Sequence, residues 1–269
     1  MLYLNDNFHA NNLLGALADE DLRALAPHLE LVRVKSLQLL CDADAPTGSL
    51  YFPVTAVMSM QYLMEDGATV EVAAIGKEGV VGLPGLTGGG SLASRVEVRS
   101  GGSAYRIGLH AFRRESEKSI EIYRLIQLYM QALMTYIARN ALCNRHHSIN
   151  EQLCRWLLTA NDQLASNELS VTQQMIANML GVRREGVTEA AGKLHEAGLI
   201  RQRRGHITVL DRHGLEEHAC ECYGMMRHEF DRLLPQAKDD MVPVRLAAMS
   251  ATEGRAVRST DYVRPMQSA

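Results

Sequence analysis

The stretch Met179–Leu194, MLGVRREGVTEAAGKL, places a glycine inside an apolar, helix-like run and follows it with Arg-Arg-Glu. A helix that only packs against a hydrophobic core would not normally be interrupted there and then have charged residues in its next turn. Gly181 predicts a turn with positive φ, because glycine adopts that conformation without steric cost. Two short helices joined at a glycine corner are typical of a helix-turn-helix.

The residues around Gly181 meet the packing requirements of that motif. The small side chain of Ala177 suits the point where the two helices cross. Apolar residues stand at the positions where the helices must contact each other: Ile176, Leu180, Val182, Val187 and Ala190. Because an arbitrary pair of amphipathic helices rarely satisfies every one of these positions, the pattern is a specific signal.

The second helix of the motif has a polar face once its apolar side is buried. The residues on that face are Arg183, Arg184, Glu185, Thr188 and Glu189. Such a helix can enter the major groove of double-stranded DNA with its first residues against the base edges. An arginine fork matches guanine O6 and N7, and a carboxylate can accept a hydrogen bond from cytosine N4. A solvated charged face is the alternative interpretation.

The following stretch, LIRQRRGHITVL (199–210), predicts two short strands that form a wing around Arg203-Arg204-Gly205. Arginines at a wing tip contact phosphates, which adds affinity rather than sequence specificity. Thr172 and Gln173, at the start of the first helix, are further candidates for phosphate contacts. Six basic and three acidic residues lie between Gly181 and His206, although the whole chain has a net charge of −3. This local positive patch indicates a nucleic-acid partner.

The amino-terminal part predicts a different architecture. Between about residues 31 and 109, short β-like runs alternate with turn signals and no helices intervene, which favours an antiparallel β-roll of the jelly-roll kind. Asp66-Gly67 is the clearest hairpin signal. Residues 1–30 predict short helices, one of them capped by Asp19. The fold class is therefore α+β, with a sensor-like β domain over residues 1–115.

A long helix is predicted over residues 116–143, because Lys118 to Leu142 contains neither glycine nor proline. Its 3.5-residue apolar spacing predicts pairing with a second copy of the chain. The residues assigned to this dimer seam are Ile122, Ile126, Tyr129, Leu133, Tyr136 and Asn140. A helix packed on its own β domain is the alternative. The winged helix-turn-helix occupies 147–235, and residues 236–269 lack periodicity and predict a disordered tail.

This order of domains resembles the Crp/Fnr family of bacterial transcription regulators, over about residues 12–235 and best over 147–222. The resemblance implies a cyclic-nucleotide-binding-like β-roll and a homodimer that reads a two-fold operator, with RNA polymerase as a further partner. It aligns Arg184-Glu185 with the family's recognition pair. Glu189 stands where cyclic-AMP-responsive members carry a second arginine, so the operator preference is expected to differ.

In cyclic-AMP-binding members of that family, an Arg-Ser pair holds the phosphate and a glutamate holds the ribose. The matching positions here are Leu92, Ala93 and Gly82, with Leu83 beside them and Arg95 within a small alignment shift. A buried cyclic phosphate needs a charged anchor, so these five pocket candidates do not predict cyclic-AMP binding. The signal stays unassigned. A ligand-independent regulator, whose β domain serves assembly or polymerase contact, is the alternative.

Other chemistries find little support in the sequence. No histidine lies between His28 and His110 for haem or for a metal-dependent enzyme in the β domain, and the amino terminus has no cysteine group for an iron–sulfur cluster. Neither enzymatic activity nor a cofactor is expected. No apolar run has membrane-spanning length, and no secretory signal begins the chain.

Five cysteines without repeated spacing predict reduced thiols in a cytoplasm. Two groups could bind a metal or act as thiol switches, although neither has zinc-finger spacing. The first group is Cys143, His146 and His147, and the second is His213, His218, Cys220 and Cys222. Packing or surface roles are the simpler interpretation, so no metal site is predicted.

Overall fold

A computed structural model of the chain describes residues 7–65, 67, 69–87, 94–164 and 166–234. These residues all belong to one compact unit. The tail predicted from residue 236 onward lies outside the described residues. Within the described ranges, no helix combines the length and the apolar character that crossing a membrane requires.

Short helices precede the β domain, as predicted. A 3₁₀ turn over Phe8–Ala10 leads into α1 (Asn12–Gly15), and α2 (Asp19–Leu25) runs into a second 3₁₀ turn. Buried Asn11 caps α1 and donates its amide to the carbonyls of Pro53 and Gly79, at 2.9 and 3.0 Å. The predicted cap at Asp19 is wrong. Ala18 is the N-cap of α2, and Asp19 lies in the first turn, where its carboxylate complements the helix dipole.

Two antiparallel sheets form the β domain, which confirms the predicted roll. One sheet has the order β1-β7-β3, with β1 at Glu30–Val34, β3 at Ser49–Pro53 and β7 at Gly102–Gly108. The other has the order β2-β6-β4-β5, with β2 at Leu39–Cys41, β4 at Val57–Leu63, β5 at Thr69–Ile75 and β6 at Arg95–Ser100. Strand β2 was not predicted, because three residues are too few to show an alternating pattern.

The predicted hairpin between β4 and β5 is present. The two strands pair antiparallel from Met58 with Ile75 to Leu63 with Thr69. Gly67 has a φ of 83° and donates its backbone N–H to the carbonyl of Met64 at 2.9 Å. Asp66 itself lies outside the described residues.

Three helices follow the strands of the β domain or lie between them. They are α3 (Pro84–Thr87), α4 (Leu109–Ser116) and α5 (Ile120–His146). The hydroxyl of Ser119 accepts a hydrogen bond from the N–H of Ile122 and starts α5. The long helix therefore begins at Ile120 rather than at residue 116, and it continues through Cys143 to His146.

The residues assigned to a dimer seam are packed inside this chain, which corrects that prediction. Tyr129 is buried and donates its hydroxyl to the carbonyl of Val80 at 3.1 Å. Asn140 donates its amide to the carbonyl of Val72 at 2.9 Å. The other four residues, Ile122, Ile126, Leu133 and Tyr136, are buried in the same core. A regular apolar spacing shows that a helix face is covered, but it does not show which partner covers it.

The described residues of the carboxy-terminal part form five further helices and a small sheet. In chain order these elements are α6 (Ile149–Gln163), β8 (Glu168–Ser170), α7 (Gln173–Leu180), α8 (Arg184–Glu196), β9 (Ile200–Arg203), β10 (His206–Val209), α9 (Arg212–His218) and α10 (Cys222–Leu233). The sheet has the order β8-β10-β9, and β8 was not predicted. Helix α10 returns to α5, where Phe230 meets the rings of Tyr129 and Tyr136 edge-on.

A buried polar network joins α6 to the β domain. Arg99 of β6 pairs with Glu71 of β5 at 3.3 Å and donates to the Gln163 side-chain oxygen at 2.9 Å. Gln163 donates its amide to the carboxylate of Glu78 at 2.8 Å. The guanidinium of Arg99 also lies 5.3 Å from the ring centre of Trp156. These contacts set the position of the carboxy-terminal part against the sheet.

Glu78 makes this junction sensitive to pH. Burial raises the pKa of Glu78 above 4.5, and this effect outweighs the hydrogen bonds from Gly76 and Gln163 and the charge of Arg99. A carboxyl group with a raised pKa in the folded state contributes stability that is complete below its unfolded pKa and is lost as pH rises through the folded pKa.

We therefore expect Glu78→Gln, which has no titrating carboxyl group, to remove this pH-dependent loss of stability. The free energy of unfolding of wild type, minus that of Glu78→Gln, should fall as pH rises above 4.5 and then level off. Urea unfolding from about pH 4 to pH 8 measures this difference. Glu65→Gln, at an exposed position, controls for the loss of one carboxylate. A difference that does not change with pH would contradict the role of Glu78.

Candidate nucleic-acid interface

The corner between α7 and α8 has the predicted geometry. Thr172 caps α7 by accepting a hydrogen bond from the N–H of Met175 at 3.2 Å. Gly181 ends α7 in the left-handed conformation, with φ 65° and ψ 33°. The N–H of Val182 then bonds to the carbonyl of Ala177 at 3.0 Å and closes the turn. The predicted contacts between the helices are buried at Ile176, Ala177, Leu180, Val187 and Ala190, and Val182 packs half-buried beside them. Ala191 and Leu194 of α8 are buried in the same core.

The predicted recognition face of α8 is exposed along its length. Its members are Arg183, Arg184, Glu185, Thr188 and Glu189. Arg183 occupies the N-cap position without a capping side-chain hydrogen bond. The amino end of α8 therefore presents its N–H groups and the positive end of its dipole to the surroundings, which favours an anion such as phosphate.

Four arginines give this surface an excess of positive charge. Among the described residues, no carboxylate pairs with the side chains of Arg183 or Arg184, nor with those of Arg203 or Arg204. Glu189 instead pairs with Lys193 one turn along α8, at 2.7 Å, and this contact holds the pKa of Glu189 below its usual range. The exposed end of α8 thus keeps a positive field.

A chain of side-chain contacts links the first helix, the second helix and the wing. The hydroxyl of Thr188 lies 2.8 Å from the side-chain oxygen of Gln173 and 3.0 Å from the carbonyl of Arg184. Gln173 donates its amide to Gln202 of β9 at 3.0 Å. The amide oxygen and the amide nitrogen of Gln173 thus both make hydrogen bonds, and through them this residue positions α7 against α8 and β9.

The wing is a tight antiparallel hairpin. Arg203 pairs with His206 across it, and Gly205 has a φ of 76°. The carbonyl of Gly205 accepts a hydrogen bond from the N–H of Val171 at 2.9 Å, which ties the tip to the residue before α7. Arg203 and Arg204 are exposed at the tip, as predicted.

A second feature is a cavity of about 410 Å³ between the β domain and α5. Its lining is largely apolar and includes the predicted Gly82 and Leu83. Four α5 residues, Met130, Leu133, Met134 and Ile137, close another side. The sequence did not reveal their role, since their spacing fits any apolar helix face. The predicted Leu92 and Ala93 lie outside the described residues.

Arg95, also predicted for the pocket, lies elsewhere. Its guanidinium bonds to the side-chain oxygen of Gln61 at 3.2 and 3.1 Å and approaches Glu97 at 3.7 Å. Val96, the next residue, lines the cavity. Because successive side chains of a strand point to opposite faces, Arg95 and Val96 cannot both face it. The assignment of Arg95 to the pocket is therefore wrong.

Comparison with protein families identifies the carboxy-terminal part. A model of the Crp-like helix-turn-helix domain matches residues 151–218. These residues form a Crp-like helix-turn-helix domain. No curated protein matches the chain by sequence.

Solved structures show the same fold over most of the chain. FixK2 from Bradyrhizobium japonicum superposes with a TM-score of 0.63 at 18% identity, over 71% of this chain and 98% of FixK2. The c-di-GMP-responsive global regulator CLP of Xanthomonas campestris gives 0.59 at 18% identity, over 71% and 99%. A CRP/FNR-family transcriptional regulator from Thermus thermophilus gives 0.59 at 18% identity, over 71% and 98%. The resemblance to Crp/Fnr regulators is thereby confirmed for the fold.

The structure brings together residues from both of the cysteine and histidine groups, which are far apart in the sequence. Cys143 and His147, at the end of α5, meet Cys220 and Cys222, which lie just after α9 and at the start of α10. A hydrogen bond with Cys220 and the charge of Arg155 lower the pKa of Cys143, although burial opposes them. The pKa of Cys220 is raised, first by its bond with Cys143. His146, His213 and His218 are not part of this cluster.

The corner glycine provides a direct test of the Crp-like domain. A Cβ at Gly181 would meet no atom within 4 Å, so Gly181→Ala adds backbone strain without a clash. We expect a loss of about 1–2 kcal/mol in the free energy of unfolding, the cost of the left-handed conformation for an L-residue. Urea unfolding measures it.

Gly192→Ala is the matched control. Gly192 lies inside α8, and a Cβ there also meets no atom within 4 Å. This change should raise the free energy of unfolding by about 0.5–1 kcal/mol, because alanine favours helix. Equal effects of the two substitutions would contradict the assigned geometry.

Proposed function

We propose that the protein is a sequence-specific DNA-binding transcription regulator of the Crp/Fnr type, which acts in the cytoplasm as a homodimer on a pseudo-palindromic operator. The observation that supports this most is that Arg183 and Arg184, at the amino end of α8, are exposed and have no carboxylate partner within the part of the chain that the structure describes. The arginine-tipped wing belongs to the same domain. RNA polymerase is the expected partner at a promoter.

Within this proposal the exposed residues divide into two roles. Arg184 and Glu185, in the first turn of α8, read base edges in the major groove. Arg203 and Arg204 contact the phosphate backbone from the wing, with Arg183 and Thr172 as further phosphate contacts. Glu189, which pairs with Lys193, places a negative charge beside the first turn of α8. The base preference is therefore expected to differ from that of Crp/Fnr regulators that have an arginine at this position.

The homodimer needs a seam other than the buried stripe, and α5 offers one on the side next to that stripe, about 100° around the helix. Residues at steps of three and four follow that side: Ile120, Tyr123, Gln127, Met130, Met134, Ile137 and Ala141. Met134 is 70% exposed and Tyr123 is 55% exposed, both large apolar side chains. A repeat of 3.5 residues over 27 helical residues fits a two-stranded coil with a second copy of α5.

Pairing through α5 gives the operator its symmetry. Two copies related by a two-fold axis present two α8 helices, so the site contains two inverted half-sites. Entry of both helices into successive major grooves on one side of the DNA requires centres about 34–36 Å apart.

The apolar cavity is the proposed effector site. Met130, Met134 and Ile137 belong both to its lining and to the proposed seam, so an occupant would change how two α5 helices pack. The lining favours a largely apolar molecule. The hydroxyl of Ser94, which is 2% exposed and lacks a hydrogen-bond partner among the described residues, offers one polar contact. A ligand-independent regulator is the second candidate, and it requires that no occupant change DNA affinity.

Selection of bound sequences from a random DNA pool at moderate salt tests the function. We expect enrichment of a two-fold symmetric site with half-sites about one helical turn apart. Recovery of sequences no more similar than the starting pool would contradict a sequence-specific regulator.

The two arginine roles predict different effects on the selected site. Arg184→Ala should cost about 1–3 kcal/mol of binding free energy and relax preference at one base position. Arg203→Ala should weaken all sequences alike and lower the slope of log affinity against log salt by about one. Salt titrations on matched and mismatched sites measure both. Indistinguishable profiles for the two variants would contradict the division.

The corrected seam predicts that Met134→Glu yields monomers, because it places a carboxylate in the centre of the apolar stripe. Sedimentation analysis measures the mass, and operator affinity should fall with it. Met225→Glu makes the same exchange at an exposed position of α10, away from the seam, and should leave the dimer intact. A dimeric Met134→Glu variant would contradict this seam.

The cavity predicts no saturable binding of cyclic AMP in calorimetry, since no cationic side chain lines it among the described residues. An apolar naphthalene probe should bind and fluoresce. Val96→Phe, which fills part of the cavity, should abolish the probe signal. Saturable cyclic-AMP binding that Val96→Phe abolishes, or a probe signal that Val96→Phe leaves unchanged, would refute the assignment.

A further inference from the structure

Four potential metal ligands converge where α5 ends. The thiols of Cys143, Cys220 and Cys222 and the imidazole of His147 bring their ligand atoms within 4.8 Å of one another. Cys143 Sγ lies 3.5 Å from Cys220 Sγ, and Cys222 Sγ lies 3.7 Å from His147 Nδ1. The three cysteines form a small buried cluster separate from the two main cores. Nothing in the proposed regulator function accounts for this arrangement.

The geometry suits tetrahedral zinc. Bond lengths of about 2.3 Å to sulfur and 2.0–2.1 Å to nitrogen separate neighbouring ligand atoms by roughly 3.5–3.8 Å. The two distances between ligand atoms given above already fall in this range. His147 follows Cys143 by one helical turn, and Cys220 and Cys222 flank one residue. Four protein ligands would fill a tetrahedral shell, and three of them are buried thiols, which is typical of a structural site.

A buried cation provides an independent observation. Arg155 is 3% exposed, donates its Nε–H to Cys143 Sγ at 3.2 Å and donates from Nη1 to the side-chain oxygen of Asn140 at 2.6 Å. No carboxylate among the described residues pairs with it. A buried guanidinium without a counter-charge is costly. Three thiolates around one zinc(II) carry a net charge of −1, which Arg155 would balance.

The imidazole of His147 is also oriented to bind a metal ion. Its Nε2 lies 3.2 Å from the carboxylate of Glu221, so Nδ1 faces Cys222. A carboxylate on the second nitrogen of a histidine fixes the ring and strengthens the first nitrogen as a ligand. Glu221 lies between the two cysteines of the Cys220–Cys222 pair, so one short segment supplies both ligands and the orienting group.

We propose that Cys143, Cys220, Cys222 and His147 bind one zinc(II) ion per chain, through three thiolates and Nδ1. Binding to three neutral thiols releases three protons and involves no oxidation or reduction. The ion would join the end of α5 to the segment between α9 and α10. Since α6 starts two residues after His147, the site would fix the Crp-like domain relative to α5. A consequence for DNA affinity rests on the proposed function.

Metal content of the full chain tests the proposal. Protein purified under reducing conditions should hold about one zinc per chain, measured by elemental analysis. Cobalt(II) exchanged into the site should give the visible bands of a tetrahedral ion together with thiolate charge-transfer absorption. Cys222→Ser and His147→Gln should each weaken zinc affinity by at least about tenfold in competition with a chromophoric chelator.

Two controls separate the site from chance binding. His146→Gln changes the neighbouring exposed histidine, and Cys41→Ser changes a thiol in the β domain. Both should retain one zinc with unchanged affinity. Circular dichroism checks that each variant is folded. If Cys222→Ser does not fold, His147→Gln, at a half-buried position, provides the test of the site instead.

Three results would overturn the site: folded protein without stoichiometric zinc, equal loss in His146→Gln and His147→Gln, or a Cys143–Cys220 disulfide in place of metal. Zinc binding is measured without DNA. A chain that binds zinc but selects no DNA sequence therefore contradicts only the proposed function. A chain that selects a site but binds no zinc contradicts only this inference.

Discussion

The packing of one side of α5 against the β domain and α10 is the constraint on which the rest of the structure depends. Buried Tyr129 bonds to the carbonyl of Val80, and Phe230 of α10 lies against its ring. Because these contacts use one face of the helix, a neighbouring face stays open, with Met134 exposed on it. The position of the Crp-like domain also follows, since α10, the helix after it, is part of the same core.

Three proposed sites therefore lie along one helix, α5. The effector cavity lies against its middle, the dimer seam follows its open face, and the zinc ligands Cys143 and His147 stand at its end. In the proposed function, a change in the cavity would be transmitted along a helix rather than through a loop. Coupling between an effector and α8 therefore needs only a small change in how two copies of α5 pair.

Local charge matters more than net charge for the proposed DNA contact. The chain carries −3 overall, yet the exposed arginines of α8 and the wing have no carboxylate partner among the residues described. In the proposed function, these arginines would attract phosphate at one place, while the acidic residues elsewhere would disfavour non-specific binding. Arg99, by contrast, is buried with Glu71 and holds α6 against the sheet instead of meeting solvent.

By itself, the sequence determined the Crp-like corner, the wing and most strands. These features arise from short-range rules: the left-handed backbone at Gly181, alternation along strands, and helical spacing between Ile176 and Ala190. Only the tertiary structure decided which face of α5 is buried, that Arg95 turns away from the cavity, and that Cys143 meets Cys220 across 77 positions. Periodicity shows that a face will be covered, but its partner is chosen by the packing of the whole chain.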